Sequence, residues 1–201
     1  MAKAKVGRPR SEKSREAILN ATHDLLTDQG GAGLTIEAIA RRAEVGRPTI
    51  YRWWPTVADI VLEAVLRQAD KDIAVPAFES LRETLRQFLR QSMQAIGGWG
   101  GVHLCFLMAH AQRDEEFRGR FRENFVAKRR AVLHSVFQEA VEHGQIGSGH
   151  DLDLLVDIVF GAMWYRLLVG HAPMDECFAD ELTEAAMRLV QTSPEGQGAV
   201  R

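Results

Sequence analysis

The chain has 201 residues, a formal net charge of −2 and 46% hydrophobic residues, enough for a packed core in one large domain or two small ones. No apolar run approaches the roughly 18 to 20 residues of a membrane-spanning helix, and the basic N-terminus precedes no apolar segment. We therefore expect a cytoplasmic protein without membrane anchor or secretory signal. Cys105 and Cys177 have no CxxC or Cys/His ligand spacing, so both are interpreted as reduced and structural.

The charge is unevenly distributed along the chain. Residues 1–54 carry ten Lys or Arg against six Asp or Glu, a charge of +4, whereas the remainder carries fifteen against twenty-one, a charge of −6. This asymmetry indicates that only the N-terminal segment meets a polyanion, although a balanced protein can show it by chance.

The first ten residues form a basic arm. They contain four Lys or Arg and no acidic residue or apolar periodicity, so we expect disorder in the free protein. A Gly-Arg-Pro sequence can lie extended in the narrow minor groove of A·T-rich DNA, which would place Arg8 and Arg10 there. A solubilising basic tail is an equal alternative.

Residues 11–55 are predicted to form three helices. The first spans residues 11–28 and is followed by a glycine-rich turn. The second spans residues 35–43 with Thr35 as its N-cap, and Pro48 marks the first turn of the third. Two short helices joined by a tight turn predict a helix-turn-helix whose last helix lies in a DNA major groove.

Cationic and hydroxyl-bearing side chains remain on the surface of this motif. Contacts with base edges or phosphates in the groove are predicted for Arg47, Thr49, Tyr51 and Arg52, and phosphate contacts for Thr35 and Arg42. The small core behind them is predicted to contain Ile18, Leu25, Leu34, Ile39, Val45 and Tyr51. Taken alone, the motif could also be a generic surface helix with a solvated charged face.

Several positions then fit one pattern at once: Leu34-Thr35-Ile36-Glu37-Ala38-Ile39-Ala40, Val45-Gly46-Arg47-Pro48-Thr49-Ile50-Tyr51-Arg52, and Trp54-Pro55 followed by Asp59. Over residues 11–66 the chain resembles the DNA-binding domain of the tetracycline-repressor (TetR) family. The resemblance implies an all-helical homodimer whose C-terminal domain binds a small molecule and releases DNA. The chain departs from the family at Glu44, where Gly is frequent, and at Val57, where Lys is frequent.

A linking helix is predicted over residues 56–75. Thr56 and Asp59 form a capping pair at its start, and apolar residues continue at helical spacing to about Asp72. Tilting this helix would change the separation of two DNA-reading domains in a dimer, whose half-sites lie roughly 34 Å apart.

The C-terminal domain, residues 76–192, is predicted to be all-α and larger than the N-terminal one, and residues 193–201 to be a flexible tail. Its predicted helices span residues 77–96, 102–112, 114–143, 152–170 and 174–191, with a mobile glycine-rich loop around Trp99. The fourth of these is apolar on more than one side, which predicts a four-helix bundle across the two-fold axis of a homodimer. The interface residues assigned are Phe160, Gly161, Trp164, Tyr165, Leu168, Phe178, Leu182 and Leu189.

A small-molecule site is also predicted in this domain. Such sites are apolar with a few polar groups, so we expect an apolar or aromatic effector that accepts hydrogen bonds from His103 or His110, with Trp99 as a lid residue. The candidate lining residues are Phe88, Trp99, His103, Phe106, His110, Phe121, Phe125, Met163 and Trp164. For each of them taken singly, an ordinary core position is the simpler explanation.

Catalytic and metal-binding motifs are missing from the sequence. It has no nucleophile elbow, phosphate loop, HExxH pair or paired cysteine ligands. The pairs Glu139 with His143 and His103 with His110 share helix faces, but a surface pair or a core histidine explains them better than a metal site. We expect no enzyme, no metal and no cofactor, with metal binding kept as a minor alternative.

The predicted function is a dimeric, ligand-responsive transcriptional regulator. It would act as a repressor that binds a palindromic double-stranded DNA operator and is released by a small effector. The alternatives are a helical protein that sequesters a small molecule and, further removed, an uncharacterised helical enzyme.

Overall fold

The computed structural model describes residues 12–29, 31–72 and 77–191, which contain only helices and the turns between them. The helices are α1 (Glu12–Gln29), α2 (Ile36–Arg42), α3 (Arg47–Tyr51), α4 (Val57–Asp72), α5 (Leu81–Ala95), α6 (Gly101–Ala111), α7 (Glu115–Phe121), α8 (Ala127–Glu142), α9 (Leu152–Val169) and α10 (Glu176–Gln191). The predicted all-α class is confirmed. In the part of the chain described, no helix is long and apolar enough to cross a membrane. The predicted arm and tail, residues 1–10 and 193–201, lie outside the described residues.

The chain divides into two compact units inside α4, an N-terminal unit of residues 1–64 and a C-terminal unit of residues 65–201. In the N-terminal unit, the helices predicted from the sequence pattern are present, and α2 and α3 pack against α1. The buried side chains at its centre are Ile18, Leu26, Ile39, Ile50, Trp54 and Ile60. Tyr51 is 56% exposed, so its assignment to this core was wrong. In the short helix α3, Ile50 takes the inward position and Tyr51 points to the surface.

The turn between α2 and α3 is a C-terminal cap of a defined type. The Val45 N–H donates to the Ala40 carbonyl at 3.0 Å, and the Glu44 N–H donates to the Arg41 carbonyl at 3.3 Å. This pair of bonds is the Schellman motif, which places the residue after the cap in the left-handed region. That residue is Glu44, with φ +52°. Glycine adopts this left-handed conformation without steric cost, which explains why the TetR family often has Gly at this position.

In the C-terminal unit, α5 packs against α8 and α10 around one hydrophobic core. The largest fully buried side chains there include Leu81, Leu85, Phe88, Leu89, Met93 and Phe137. Helix α5 begins at Leu81, later than predicted, because Ser80 caps it by accepting a hydrogen bond from the Glu83 N–H at 3.3 Å. Phe78 precedes the helix and stacks on the His143 ring, with 4.8 Å between ring centroids.

Ion pairs join the outer faces of α5 and α10. The Arg90 guanidinium donates two hydrogen bonds to Asp180, at 2.8 and 2.6 Å. Arg82, two turns earlier on α5, pairs with Glu184, one turn later on α10. The hydrogen bond from Arg90 holds the pKa of the Asp180 carboxyl below its ordinary value. Because the pairs are exposed, each contributes little to the free energy of unfolding.

The glycine-rich segment around Trp99 is helical, so the predicted mobile loop was wrong. A π-helical turn, Ile96–Gly100, joins α5 directly to α6, and the Gly101 N–H donates to the Ile96 carbonyl five residues earlier. A Cβ at Gly101 would lie 2.9 Å from that carbonyl oxygen, and one at Gly100 would lie 3.0 Å from the Ala95 oxygen. Glycine thus permits the wide turn instead of ending the helix. A second π-helical turn, Arg122–Val126, joins α7 to α8 within the predicted long helix.

Candidate DNA-binding surface and effector cavity

The exposed side of α3 carries the side chains predicted to read DNA. Arg47 begins the helix, Tyr51 ends it, and Arg52 is its C-terminal cap; all three are exposed, and Thr49 is half-buried. Ile50 is fully buried on the opposite side and anchors α3 to the unit. The helix therefore presents two guanidiniums and a phenol outward from a fixed base.

Two predicted DNA-contacting arginines are held by exposed carboxylates of the same unit. Arg47 donates to Glu37 at 2.8 Å, and Arg42 donates to Asp24 at 3.1 Å. The hydrogen bond from Arg47 lowers the pKa of Glu37. Because such exposed pairs contribute little net stability, a phosphate can replace the carboxylate without a large cost.

Thr35 lies at the N-terminus of α2, where its hydroxyl oxygen accepts a hydrogen bond from the Ala38 N–H at 3.1 Å. The hydroxyl keeps its own O–H as a donor, so the same side chain can cap the helix and donate to a phosphate. Arg8 and Arg10 lie outside the described residues.

A network of polar contacts that was not predicted from the sequence surrounds the two tryptophans that follow α3. The Trp54 indole N–H donates to the Glu63 carboxylate at 2.8 Å, and Arg15 approaches the same carboxylate at 2.5 Å. The Arg15 guanidinium also lies over the Trp53 ring, 4.9 Å from its centroid. The network ties α1 and α4 to the segment that follows α3. No short motif marks it, since its members are far apart in sequence.

The C-terminal unit contains a cavity of about 340 Å³. Five of the nine predicted ligand-binding residues line it: Phe88, Trp99, Phe125, Met163 and Trp164. Val65 and Ala69 of α4 contribute to the wall, as do residues of both π-helical turns. Trp99 belongs to this helical wall and not to a mobile loop, which removes the basis for its predicted role as a lid.

The other four predicted residues do not line the cavity. The buried His103 ring places Nδ1 2.6 Å from the Trp99 carbonyl oxygen, and so steadies the first π-helical turn. His110 lies 3.7 Å from Asp114 and contacts the Phe106 and Phe117 rings. Phe121 stacks between Phe117 and Phe125. The expected hydrogen bonds from His103 or His110 to an effector are therefore corrected. The lining side chains with polar groups are instead Ser92, Arg129, Arg130, Asp157 and the indoles of Trp99 and Trp164.

Helix α9 has an exposed apolar stripe. Leu154, Ile158, Tyr165 and Leu168 are 54%, 40%, 63% and 48% exposed, and Gly161 lies between them at helical spacing. Four predicted interface residues are exposed: Gly161, Tyr165, Leu168 and Leu189 of α10. Phe160 and Trp164 are half-buried at the cavity wall. Phe178 and Leu182 belong to the core of the protomer, which contradicts their assignment to an interface. Leu154 and Ile158, which were not among the predicted interface residues, are exposed on the same stripe.

Outside the DNA-binding surface and the cavity, His143 and the two cysteines are the candidate functional side chains that remain. His143 Nδ1 lies 2.8 Å from the Glu139 carbonyl oxygen, one turn earlier in α8. Among residues 12–29, 31–72 and 77–191, no group of three or more His, Cys, Asp or Glu side chains could hold a metal ion. Both cysteines are free, and burial raises the pKa of the Cys105 thiol.

Comparison with known proteins decides the family. A family model described as tetracyclin repressor-like, C-terminal domain, matches residues 75–186, and one described as bacterial regulatory proteins, tetR family, matches residues 18–64. The chain belongs to the TetR family. The resemblance to this family and the predicted fold are thereby confirmed. The chain is a helix-turn-helix transcriptional regulator with a ligand-binding C-terminal domain.

Individual TetR-type regulators are similar over nearly the whole chain. YdeS of Bacillus subtilis (strain 168), an uncharacterized HTH-type transcriptional regulator, is 27% identical over 190 residues, which are 94% of this chain and 96% of YdeS. The DNA-binding transcriptional repressor TetR of Mycobacteroides abscessus is 25% identical over 186 residues, 90% and 95% of the two chains. The crystal structure of the TetR family transcription regulator SCO0332 matches with a TM-score of 0.70 and 31% identity, over 88% and 97% of the two chains.

Proposed function

We propose that this TetR-family regulator is a homodimeric repressor that binds an inverted-repeat operator and leaves it when a small effector enters the cavity of the C-terminal unit. The observation that carries the proposal is the exposed face of α3, where Arg47, Tyr51 and Arg52 project from a helix anchored by the buried Ile50. Repression is typical of the family.

On DNA binding, phosphates of the duplex would replace carboxylates of the protein as partners of two arginines. Phosphates replace Glu37 at Arg47 and Asp24 at Arg42, and Thr35 donates its hydroxyl proton to a phosphate at the start of α2. Arg52 and Tyr51 meet base edges in the major groove, and Thr49 lies beside them. The basic arm, with Arg8 and Arg10, adds minor-groove contacts.

The effector would act through α4, within the proposed linking segment of residues 56–75. Val65 and Ala69 of this helix line the cavity, so an effector that fills the cavity presses on α4. Earlier on the same helix, Glu63 holds Trp54, which follows α3. A shift of α4 is thus passed to the helix that reads DNA, which changes the spacing of the two reading helices in a dimer.

The test is selection of bound sequences from a random duplex pool at two salt concentrations, with wild type and matched variants. We expect an inverted repeat that survives the higher salt. Arg52→Gln should lose about 1 to 3 kcal/mol of preference at one base position of each half-site. Glu37→Gln should instead raise affinity for all duplexes, because Arg47 is released for phosphate.

The control is Arg118→Gln, which removes the same charge from an exposed pair with Glu115 on α7. It should leave both affinity and the selected sequence unchanged. Recovery of no preferred sequence, or equal losses for Arg118→Gln and Arg52→Gln, would contradict the assignment of α3 as the reading helix and leave only a general charge effect.

A further inference from the structure

We infer that the effector is an acidic amphiphile, with an apolar body in the cavity and an anionic group at the guanidiniums of Arg129 and Arg130. This inference rests on the proposed role of the cavity as the effector site and goes further by naming the chemical class of its occupant.

The inner wall of the cavity suits an apolar body. Phe88 and Met163 are almost fully buried there, and Leu104 and Phe125 close other sides. The Ser92 hydroxyl already donates to the Phe88 carbonyl at 2.8 Å, so its hydrogen-bonding capacity is largely used within α5. A volume of about 340 Å³ is at the small end of ligand sites, which selects one short chain or a small ring system.

The charged side chains of the lining are all partly exposed to solvent. Three ionisable side chains line the cavity, namely Arg129, Arg130 and Asp157, so the lining carries a net charge of +1. The Asp157 side chain is 61% exposed, whereas that of Arg130 is 31% exposed. Arg129 is likewise only partly exposed, so both positive groups are more enclosed than Asp157. An apolar ligand with an anionic end would place that end beside them.

Arg130 is held in place by α9 and can still change partners. It pairs with Asp157 and, at 3.2 Å, with Asp153 one turn earlier on that helix. A ligand carboxylate can take the position of Asp157 while Asp153 keeps the guanidinium oriented. The exposed Asp157 then returns to water at little cost, because exposed pairs contribute little. The planar guanidinium matches a carboxylate with two parallel hydrogen bonds.

A cationic ligand meets the opposite situation. It would have to displace Arg130 from Asp157 and would leave two guanidiniums close to its own charge. A neutral hydroxyl can accept one hydrogen bond from a guanidinium, but it forms no ion pair and cannot take two parallel hydrogen bonds as a carboxylate does. Among an anionic, a neutral and a cationic ligand with the same apolar part, the lining therefore favours the anionic one.

The experiment titrates the full-length protein with decanoate, decanol and decylamine, with calorimetry and the fluorescence of the cavity-lining tryptophans as readouts. Decanoate should bind at least about tenfold more tightly than the other two. Arg130→Gln should weaken decanoate binding about tenfold and leave decanol binding unchanged. Asp157→Asn should tighten decanoate binding. Decyl phosphate, titrated in parallel, separates a carboxylate from a phosphate as the preferred anion.

Arg130→Gln and Asp157→Asn should change decanoate affinity in opposite directions. This distinguishes ligand recognition from a structural role of the ion pair, since loss of a structural pair would change the affinity in the same direction for both variants. Lys128→Gln is the control, because Lys128 is an exposed cation of α8 that does not line the cavity. Equal binding of the three probes, tighter binding of decylamine, or no binding of any probe would overturn the inference. Operator binding, measured on the same samples, tests the proposed function separately.

Discussion

Glu44 occupies a backbone conformation that glycine adopts at lower cost. Its φ of +52° follows from the cap at the end of α2, and an L-residue pays roughly 1 to 2 kcal/mol in that region. Glu44→Gly should therefore raise the free energy of unfolding by about 1 kcal/mol, after allowance for the greater freedom of glycine in the unfolded chain. Urea denaturation of the full chain measures the change.

The adjacent Ala43 provides the matched control, because its φ of −83° is open to any residue. Ala43→Gly should lower stability by about 0.5 to 1 kcal/mol. If both glycine variants changed stability in the same direction, the strain assigned to Glu44 would not exist.

Single residues also show where sequence patterns fail. Tyr51 was predicted both as core and as a DNA contact, because a helix of five residues is too short for its apolar face to be read from spacing. Burial settles which side it occupies, since Ile50 takes the inward position. Thr35, in contrast, could be predicted as an N-cap because capping depends only on residues next to it in sequence.

At the scale of elements, the glycine-rich segment shows how tertiary context overrides propensity. Each Gly costs about 1 kcal/mol in a helix interior, which favoured a loop for Gly97 to Gly101. In the structure, His103 holds the Trp99 carbonyl and the Trp99 ring lines the cavity, so the segment remains helical with a π-helical turn. Such turns are frequent at functional sites, and both of those described here border the cavity.

The π-helical turn predicts unequal effects of alanine at two nearby glycines. A Cβ at Gly101 would lie 2.9 Å from the Ile96 carbonyl oxygen, whereas one at Gly98 would meet nothing within 4 Å. Gly101→Ala should therefore lower the free energy of unfolding, because the backbone must shift. Gly98→Ala should raise it by up to about 1 kcal/mol through helix propensity. Thermal unfolding of the two variants compares them, and equal stabilisation would show that the turn is an ordinary α-helix.

For the whole molecule, the N-terminal unit was more predictable than the cavity of the C-terminal unit. Its helices follow from caps, Pro48 and apolar spacing, all of which are local signals. The cavity needs side chains from α4, α5, α6, α8 and α9 to converge, and sequence spacing within one helix does not show which faces meet. For the same reason Phe178 and Leu182 were assigned to an interface, although their apolar spacing reflects burial within the protomer.

The exposed stripe of α9 leads to a prediction about assembly. Apolar side chains at Leu154, Ile158, Tyr165 and Leu168 surround Gly161, and a small residue at that point lets two helices approach closely. A Cβ at Gly161 meets nothing within 4 Å in the protomer. A loss of assembly on enlarging Gly161 would therefore point to a partner, since the first side-chain atom meets nothing in the protomer.

Gly161→Leu should raise the dimer dissociation constant at least about tenfold, a loss of roughly 1.4 kcal/mol, because a leucine at the centre of the proposed α9 interface would hold the two helices apart. Sedimentation equilibrium over a range of protein concentrations measures this constant, and affinity for a complete inverted repeat should fall with it. Gly119→Leu on α7, also at a glycine where a Cβ meets nothing within 4 Å, should leave both unchanged. A Gly161→Leu protein that dimerises as tightly as wild type would place the interface elsewhere, since the leucine side chain could not then lie between two copies of α9.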